Sequence, residues 1–458
     1  MTDGQCDIIL TAPDQAELMA HLFPGDRDEH GAVLHAGVAQ DGDRMRLLVR
    51  GVYPARPGSD YVAGQFGYRA LHPRFIHQHI TACRDQRLAY LAVHNHDCDD
   101  RVGFSRVDFA SHERGYPALL DIGKGVPVGA LVLGRRSMQA DIWTDDSMRR
   151  TLRETRIIGP TLRRIYPAPP RSPHAPTDES HNRQIRMFGE AGQVELTRAR
   201  VAVIGLGGIG SLVCEYLARL GVGEVLAVDP DHLETSNLSR VVGATRADAT
   251  RRRSKVEIVA RHAAEASGTK IIPVAADVAL ESVARQLRGC DYLFLAADSM
   301  RARLVFNALV HQYLIPGVQL GAKVRSAPDG GLLDVMSAVR PVRPGEGCLW
   351  CNQLIDPHQL AIEAKSDAER LAQAYGVAEP NPSVITLNAV AAAHAVNDFL
   401  FHILDLPHAT SPLAYRHFHF LDGIVKNVMP RKDEGCRECG REGRFGRGDA
   451  VSLPCTEG

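Results

Sequence analysis

Residues 201–240, VAVIGLGGIGSLVCEYLARLGVGEVLAVDPDHLETSNLSR, constrain the fold more tightly than any other stretch. The opening Val201–Gly205 is a short apolar run of the kind that forms a buried parallel strand. Gly205, Gly207, Gly208 and Gly210 follow at once, at positions where side chains would block a phosphate. From Ser211 to Leu220 apolar residues recur at helical spacing, so the first turn of a helix can aim free backbone N–H groups at an anion. Gly221 and Gly223 stop that helix, and a second strand ends in Asp229. An acid about 20 residues beyond the glycines is placed to hold a ribose hydroxyl. Taken alone, such a turn belongs most often to an NAD(P)-dependent oxidoreductase.

The residues that follow point elsewhere. Asp229-Pro-Asp231 leads into Ser236-Asn237-Leu238-Ser239-Arg240, then Lys255-Val-Glu257, and CDYLFLAADS is a further strand ending in Asp298. With Arg183-Gln184 ahead of the first strand, this ordered set resembles the ThiF/MoeB-type adenylyltransferase superfamily. That superfamily contains the molybdopterin-synthase and thiamin-pathway activators and the adenylation domains of ubiquitin-activating enzymes. Ala297-Asp298-Ser299 stands where the family has Thr-Asp-Asn. The resemblance implies that Gly205, Gly207, Gly208, Gly210, Asp229 and Asp231 hold ATP and that Asn237, Arg240 and Lys255 meet its phosphates. It also implies that Asp298 binds Mg²⁺ and that Arg183 reaches across a homodimer to the partner's triphosphate. The chemistry needs such a set, because a carboxylate attacking the α-phosphorus requires charge to be neutralised along the leaving pyrophosphate.

Upstream, LAYLAVHNHDCDDRVGFSRVD is the informative part of a first unit that runs from about residue 7 to 166. RMRLLVRGVYP reads as a strand, HPRFIHQHITACRDQ as a helix, and LAYLAV as a buried strand that delivers His94 and His96 to one face. Ser105 and Asp108 stand one helical turn apart. Two imidazoles and a carboxylate leave a fourth zinc position open, as a catalytic site requires. These residues resemble the JAB/MPN metalloprotease pattern of an upstream Glu, His-x-His and Ser-x-x-Asp. By that resemblance His94, His96 and Asp108 are zinc ligands, Glu29 is the general base on the attacking water, and Ser105 steadies the oxyanion. The loop from His96 to Ser105 is one residue longer than the family usually has, and Asp97 replaces a common Pro. Cys98 reads as a bystander thiol, and His72, His77, His79 and His112 as surface or packing residues.

At 458 residues the chain exceeds one usual core. Its formal charge of −1 supplies no bulk basicity for nucleic acid. No apolar run long enough for a membrane span appears, and the start lacks a signal-peptide pattern, so a cytoplasmic protein is expected. Residues 167–180, rich in Pro and Ser, read as a linker between a JAB/MPN-like α/β domain (1–166) and a Rossmann-like, doubly wound α/β adenylation domain (181–458). PGVQLGAKVRSAPDGGLLDVMSAVRP reads as strands about a Pro-Asp-Gly-Gly turn, and EPNPSVITLNAVAAAHAVNDFLFHIL as a helix with a dimer or core face.

Ten cysteines without a small-domain framework suit a reducing compartment. Cys348-Leu-Trp-Cys351 and Cys436-Arg-Glu-Cys439 are two pairs of the kind that complete a tetrahedral structural zinc site, and the adenylyltransferase family has such a split site. No cysteine lies between residues 352 and 435, where ubiquitin-activating relatives place a nucleophile. Cys214 reads as packing and Cys455 as part of an unstructured end. The expected function is adenylation of the C-terminal glycine of a small ubiquitin-like or sulfur-carrier protein ending in Gly-Gly, coupled to zinc-dependent peptidase processing of that protein or its conjugates. The expected cofactors are ATP, Mg²⁺ and two Zn²⁺, one catalytic and one structural. An oxidoreductase, or an adenylyltransferase carrying an inert protease-like binding domain, are the alternatives.

Overall fold

Alternating apolar runs and turn residues build two eight-stranded sheets in this computed structural model. It describes residues 4–26, 28–62, 70–145, 148–170, 179–327, 329–365, 382–406 and 413–456. The sheets lie in separate units. Unit 1 is Met1–Ser172 with Gln312–Leu314 and Arg441–Ser452, and unit 2 is Pro173–His311, Ile315–Gly440 and Leu453–Gly458. The Pro-rich stretch expected to link two domains lies partly outside the described residues, at 171–178.

Unit 1 runs β1 (Gly4–Thr11), α1 (Ala12–Leu22), β2 (Gly31–Asp41), β3 (Arg44–Pro54), α2 (Pro73–Gln86), β4 (Ala89–Asn95), α3 (Arg106–Gly123), β5 (Val128–Leu133), β6 (Met138–Trp143), β7 (Arg149–Ile158) and β8 (Leu162–Ile165). The strand order is β1-β3-β2-β4-β5-β6-β7-β8, and β1 also pairs with β7, so the sheet curls until an inner strand meets its first. That closure removes an exposed edge. Ile8, Leu10, Leu47, Leu91 and Leu131 pack inside it, while Val33, Tyr90, Ile80 and Tyr116 form a second core under α2 and α3. The expected helix from His72 begins at Pro73, because the His72 side chain accepts from Arg74 N and the proline presets the first turn. Left-handed Arg87 ends it.

Arg441–Ser452, inside the stretch expected to be second domain throughout, belongs to unit 1. Arg50 is the physical reason. Its buried guanidinium donates to the carbonyls of Arg441, Gly443 and Phe445, and the Phe445 ring is itself buried.

Unit 2 opens with α4 (Asn182–Arg198), then β9 (Arg200–Ile204), α5 (Gly208–Arg219), β10 (Glu224–Val228), α6 (Arg246–Thr250), α7 (Lys255–Ala266), β11 (Lys270–Val274), α8 (Glu281–Leu287), β12 (Tyr292–Leu295) and α9 (Met300–Gln312). It continues with β13 (Gly317–Ser326), β14 (Leu332–Val342), α10 (Pro357–Glu363), α11 (Ile385–Ile403), β15 (Tyr415–His419) and β16 (Ile424–Val428). The order β11-β10-β9-β12-β13 is parallel throughout, and β14, β15 and β16 extend it antiparallel. A doubly wound sheet of this order reverses direction beside β9, and that is where a ligand crevice opens. The described part of the expected helix around residue 390 is α11, whose Ala391, Ala395 and Phe399 are buried. Residues 379–381 of the same motif lie outside the described residues. Cys455 departs from expectation. It sits in an ordered return, with Thr456 N donating to Ala279 O at 2.9 Å, because the strand-like bridge Leu280–Thr456 supplies the backbone partners a free end lacks.

Candidate functional site

Three clusters gather the expected site residues. The first is the turn between β9 and α5. Gly205 has φ +90°, and a Cβ there would stand 2.6 Å from Ala297 N. A Cβ on Gly210 would lie 1.8 Å from the Gly205 carbonyl oxygen, and one on Gly208 would lie 2.2 Å from Asn388 Nδ2 of α11. Only at Gly207 is the added position open, with nothing within 4 Å. Three glycines therefore permit close packing, and the fourth leaves an open approach to the N-terminus of α5. The helix begins at Gly208 rather than Ser211, because the glycines themselves form its first turn.

Asp229, at the end of β10, is buried. Its Oδ2 accepts from Leu206 N at 2.5 Å and its Oδ1 from Asp231 N at 2.8 Å, so it braces the glycine turn. Burial pushes its carboxyl upward, while nearby Lys255 and the two N–H donors pull the other way. Lys255 lies at the start of α7, with Nζ 2.7 Å from Asp231 Oδ2 and 3.8 Å from Asp229 Oδ1. The Asn237 side chain accepts from Glu234 N at 3.2 Å and shapes the short helix that carries it. Arg240 stands over the turn, its Cβ 3.3 Å from where a Cβ on Gly208 would be, and donates to Ser236 O at 3.0 Å. Asp298, just beyond β12, lines a cavity of about 740 Å³ that also reaches Arg303, Gln319 and Arg340. Arg183 is exposed on α4.

The second cluster joins Cys348, Cys351, Cys436 and Cys439, all buried. Sulfur–sulfur distances are 3.5 Å for Cys348–Cys351, 3.8 Å for Cys348–Cys436 and 3.6 Å for Cys351–Cys439. A tetrahedron with Zn–S bonds of about 2.3 Å has edges of about 3.8 Å, so the four thiols fit zinc. The thiols also act on one another's protonation. Cys348, receiving hydrogen bonds from Cys439 and Cys351, is pushed down to about 6, while burial and its neighbours push Cys436 up to about 11.

The third cluster is in unit 1. His94 lies next to the end of β4, paired with Gly31 of β2 and Val132 of β5, and His96 N donates to Leu133 O at 2.9 Å. His94 Nε2 lies 3.6 Å from Asp108 Oδ1, and His96 Nε2 lies 3.8 Å from both Asp108 Oδ2 and Glu29 Oε1. Ligand atoms of His94, His96 and Asp108 are all within 4.8 Å of one another, and the buried His94 Nε2 has no hydrogen-bond partner. These separations exceed a hydrogen bond but suit atoms that share a cation. Burial acts against ionised Asp108, yet His94 and the Ser105 cap hold its carboxyl well below the usual range. Burial, with Asp108 nearby, raises Glu29 despite His94.

Ser105 and Asp108 do more than share a face. Asp108 N donates to Ser105 Oγ at 3.2 Å and Ser105 N to Asp108 Oδ2 at 2.7 Å, a reciprocal cap at the start of α3. The longer loop before them is pinned. Arg136 grips Asp100 at 2.6 and 2.9 Å, Arg135 donates to Asp97 at 3.2 Å, and Ser137 Oγ donates to Asp99 O at 2.8 Å. Cys98 lies against Ser137 and is outside the three-ligand group.

The sequence reading missed Asn388, Arg303, Gln319, Arg340 and the Arg135–Arg136 clamp. Only strand register could have exposed Arg340, which stands directly across from Gln319 in the β13–β14 pair. Cys214 is fully buried, as a packing residue should be. No helix among the described residues is long and apolar enough to cross a membrane.

Comparison with known proteins adds four findings. The ThiF family model matches residues 181–438. The sulfur carrier protein ThiS adenylyltransferase of Bacillus subtilis is 32% identical over 121 residues, 26% of this chain and 36% of that protein. The molybdopterin-synthase adenylyltransferase of Salmonella typhimurium is 32% identical over 174 residues, 37% of this chain and 66% of that protein. The chain thus spans between about a third and two-thirds of these relatives' own lengths. Among solved structures, E. coli MccB with MccA-N7isoASN superposes with TM-score 0.48 at 19% identity, over 58% of this chain and 76% of that one.

Proposed function

The chain belongs to the ThiF family, and from that premise we propose that unit 2 transfers AMP from ATP to the C-terminal glycine carboxylate of a small ubiquitin-like or sulfur-carrier protein, releasing pyrophosphate. The observation that carries this reading is the convergence of the open Gly207 face, Asp229, Asp231, Arg240 and Lys255 at the carboxyl ends of β9 and β10. Two relatives named for adenylating carriers or their synthase support the same class of substrate. Amides of the α5 N-terminus hold the phosphates, and Asp229 takes the ribose hydroxyl. Lys255 turns from Asp231 to the triphosphate, and Arg240 covers it from above. Asn237 keeps the loop carrying Arg240 in place. Asp298 would hold Mg²⁺, which would supply positive charge against the departing pyrophosphate. Arg183 points outward from α4 and completes the site of a second copy in a homodimer. The cysteine cluster holds a structural zinc that ties the two distant pairs together.

Unit 1 hydrolyses a peptide or isopeptide bond of the same carrier, as a JAB/MPN-like zinc peptidase. Zinc, when held by His94, His96 and Asp108, supplies a Lewis acid for the scissile carbonyl. Glu29 takes the proton of the attacking water. Ser105 uses its oxygen as helix cap, which leaves its hydroxyl hydrogen for the oxyanion. The closed triad and the pinned loop support an active centre over an inert binding fold, and family membership weighs against an NAD(P) oxidoreductase. The order follows from chemistry: an extended precursor has no free glycine carboxylate, so cleavage precedes adenylation.

ATP–pyrophosphate exchange tests both halves. A trimmed Gly-Gly carrier should support exchange in the whole chain and lose it in Lys255→Ala. An extended carrier should support exchange only while His94 is present. Equal exchange with extended carrier in His94→Ala would remove the peptidase from the scheme, and an unresponsive trimmed carrier would remove the adenylation.

A further inference from the structure

The 740 Å³ cavity beside Asp298 has a floor that the reaction described above leaves unused. One face of the β13–β14 pair makes it. Gln319, Gly321 and Lys323 alternate along β13, and Arg340, Ala338 and Met336 stand directly across from them on β14. Alternate residues share a face, so all six look into the cavity. Gly321 opposite Ala338 makes the middle of this trough shallow, with room for a chain that itself carries no side chains. At the inner end stands Arg340, and α9 adds Arg303.

The hydrogen bonds of these two half-buried guanidiniums go to neutral acceptors, although the Asp298 and Glu363 carboxylates lie close enough to act on the Arg303 charge. Arg340 Nη1 donates to Gln319 Oε1 at 2.7 Å and Arg303 Nη1 to Leu354 O at 2.7 Å, both neutral acceptors. The Arg303 Nε is buried with no partner at all. Neither arginine forms an ion pair among the described residues. Two acids of the same cavity are engaged elsewhere: both oxygens of Glu363 accept from the N–H groups of Met300 and Arg301 at 2.9 Å, and Asp277 accepts from Ala279 N at 2.8 Å, which leaves Asp298 facing Arg303. Burial and repulsion from Arg303 push Arg340 down to about 10. Holding two like charges together partly out of water costs free energy that an anion would return.

We propose that Arg303 and Arg340 bind a carboxylate at the C-terminal end of the acyl substrate, and that they select acidic or free-carboxylate tails for unit 2. The proposal rests on the adenylation reading. The carboxylate is either the terminal one or a Glu or Asp side chain just before it, and both meet the same planar donor forks.

Calorimetry of the whole chain with synthetic peptides ending in Gly-Gly, with Glu or Gln as the preceding residue, and with free or amidated ends, separates the sources. Arg340→Gln should weaken binding of the free-acid Glu peptide by roughly ten- to a hundred-fold, the loss of a charged hydrogen bond. Arg340→Lys should recover part of it, and ATP binding should be unchanged in both, which also reports that the variants fold. Loss that follows the amide assigns the terminal carboxylate, and loss that follows Glu→Gln in the peptide assigns the side chain. Unaltered affinity for all peptides in both Arg340→Gln and Arg303→Gln overturns the proposal. Carboxylate-dependent binding without any ATP–pyrophosphate exchange would instead overturn the adenylation reading and leave the arginine floor standing.

Discussion

Replacing Gly210 and Gly207 singly by alanine should separate the two jobs that the glycine turn performs. At Gly210 the new Cβ would lie 1.8 Å from the Gly205 carbonyl oxygen, where separations under 3.0 Å force a shift. The obstacle is backbone, and Gly205 is itself held at φ +90° against Ala297, so no side chain can rotate aside. Overpacking of this kind costs about 1–3 kcal/mol, and the better helix propensity of alanine returns about 1 kcal/mol at most. A net loss of about 1–2 kcal/mol is expected for Gly210→Ala. Relief also requires α5 to move away from β9, which displaces the amides that meet phosphate. Gly207 is different: its backbone is extended, with φ −70° and ψ −153°, and nothing lies within 4 Å of the new Cβ. Stability of Gly207→Ala should stay within about 0.5 kcal/mol of the parent. Its methyl group nevertheless occupies the open approach, so ATP affinity should fall about ten-fold or more, equivalent to about 1.4 kcal/mol. Urea denaturation read by circular dichroism gives the first quantity, and calorimetric titration with ATP gives the second. If Gly207→Ala binds ATP as the parent does, or Gly210→Ala unfolds at the parent's urea midpoint, the division of labour among the glycines is wrong.

Cys436→Ser should remove one zinc per chain by atomic absorption and lower the melting temperature of unit 2, because the remaining three thiols no longer enclose the ion. His94→Ala should remove a different zinc and leave that melting temperature alone. In unit 1, buried His35 donates to or accepts from His79 at 2.9 Å, and burial followed by repulsion from His79 lowers His35 to about 3. The unfolded chain binds protons there from about pH 6.5 downward while the folded chain does not. Unit 1 should therefore hold this stability above pH 6.5 and lose about 2 kcal/mol by pH 5, a slope that His35→Leu with His79→Leu should abolish in urea titrations at the two pH values. Ending the chain after Gly440 leaves the Arg50 guanidinium without its three carbonyl acceptors and should destabilise unit 1 by about 3 kcal/mol, measured from the urea midpoint.

Much of the candidate sites was legible before any fold. A turn built on Gly205 to Gly210 announces itself, because the requirement for missing side chains is local to a few successive residues. The His94–His96 alternation and the Ser105–Asp108 spacing are likewise written in the short period of a strand and a helical turn. Length of the helix at α2 and the bounds of β3 followed from the same periodicities. Ser105 shows the limit of such reading, since its spacing from Asp108 equally describes a helix cap, and the structure makes it one.

Local pattern thus determined the motifs, their strands and their helices, since those depend on neighbours a few residues away. Tertiary structure alone decided which distant pieces meet. Cys348 and Cys436, 88 residues apart, reach 3.8 Å only because the chain after β16 turns back beside the end of β14. Arg340 faces Gln319 through the register of two antiparallel strands, and Arg50 draws Arg441–Ser452 into unit 1 across hundreds of residues. Neither charge distribution nor spacing encodes those meetings, because their free energy comes from burying and satisfying groups that are strangers in the chain.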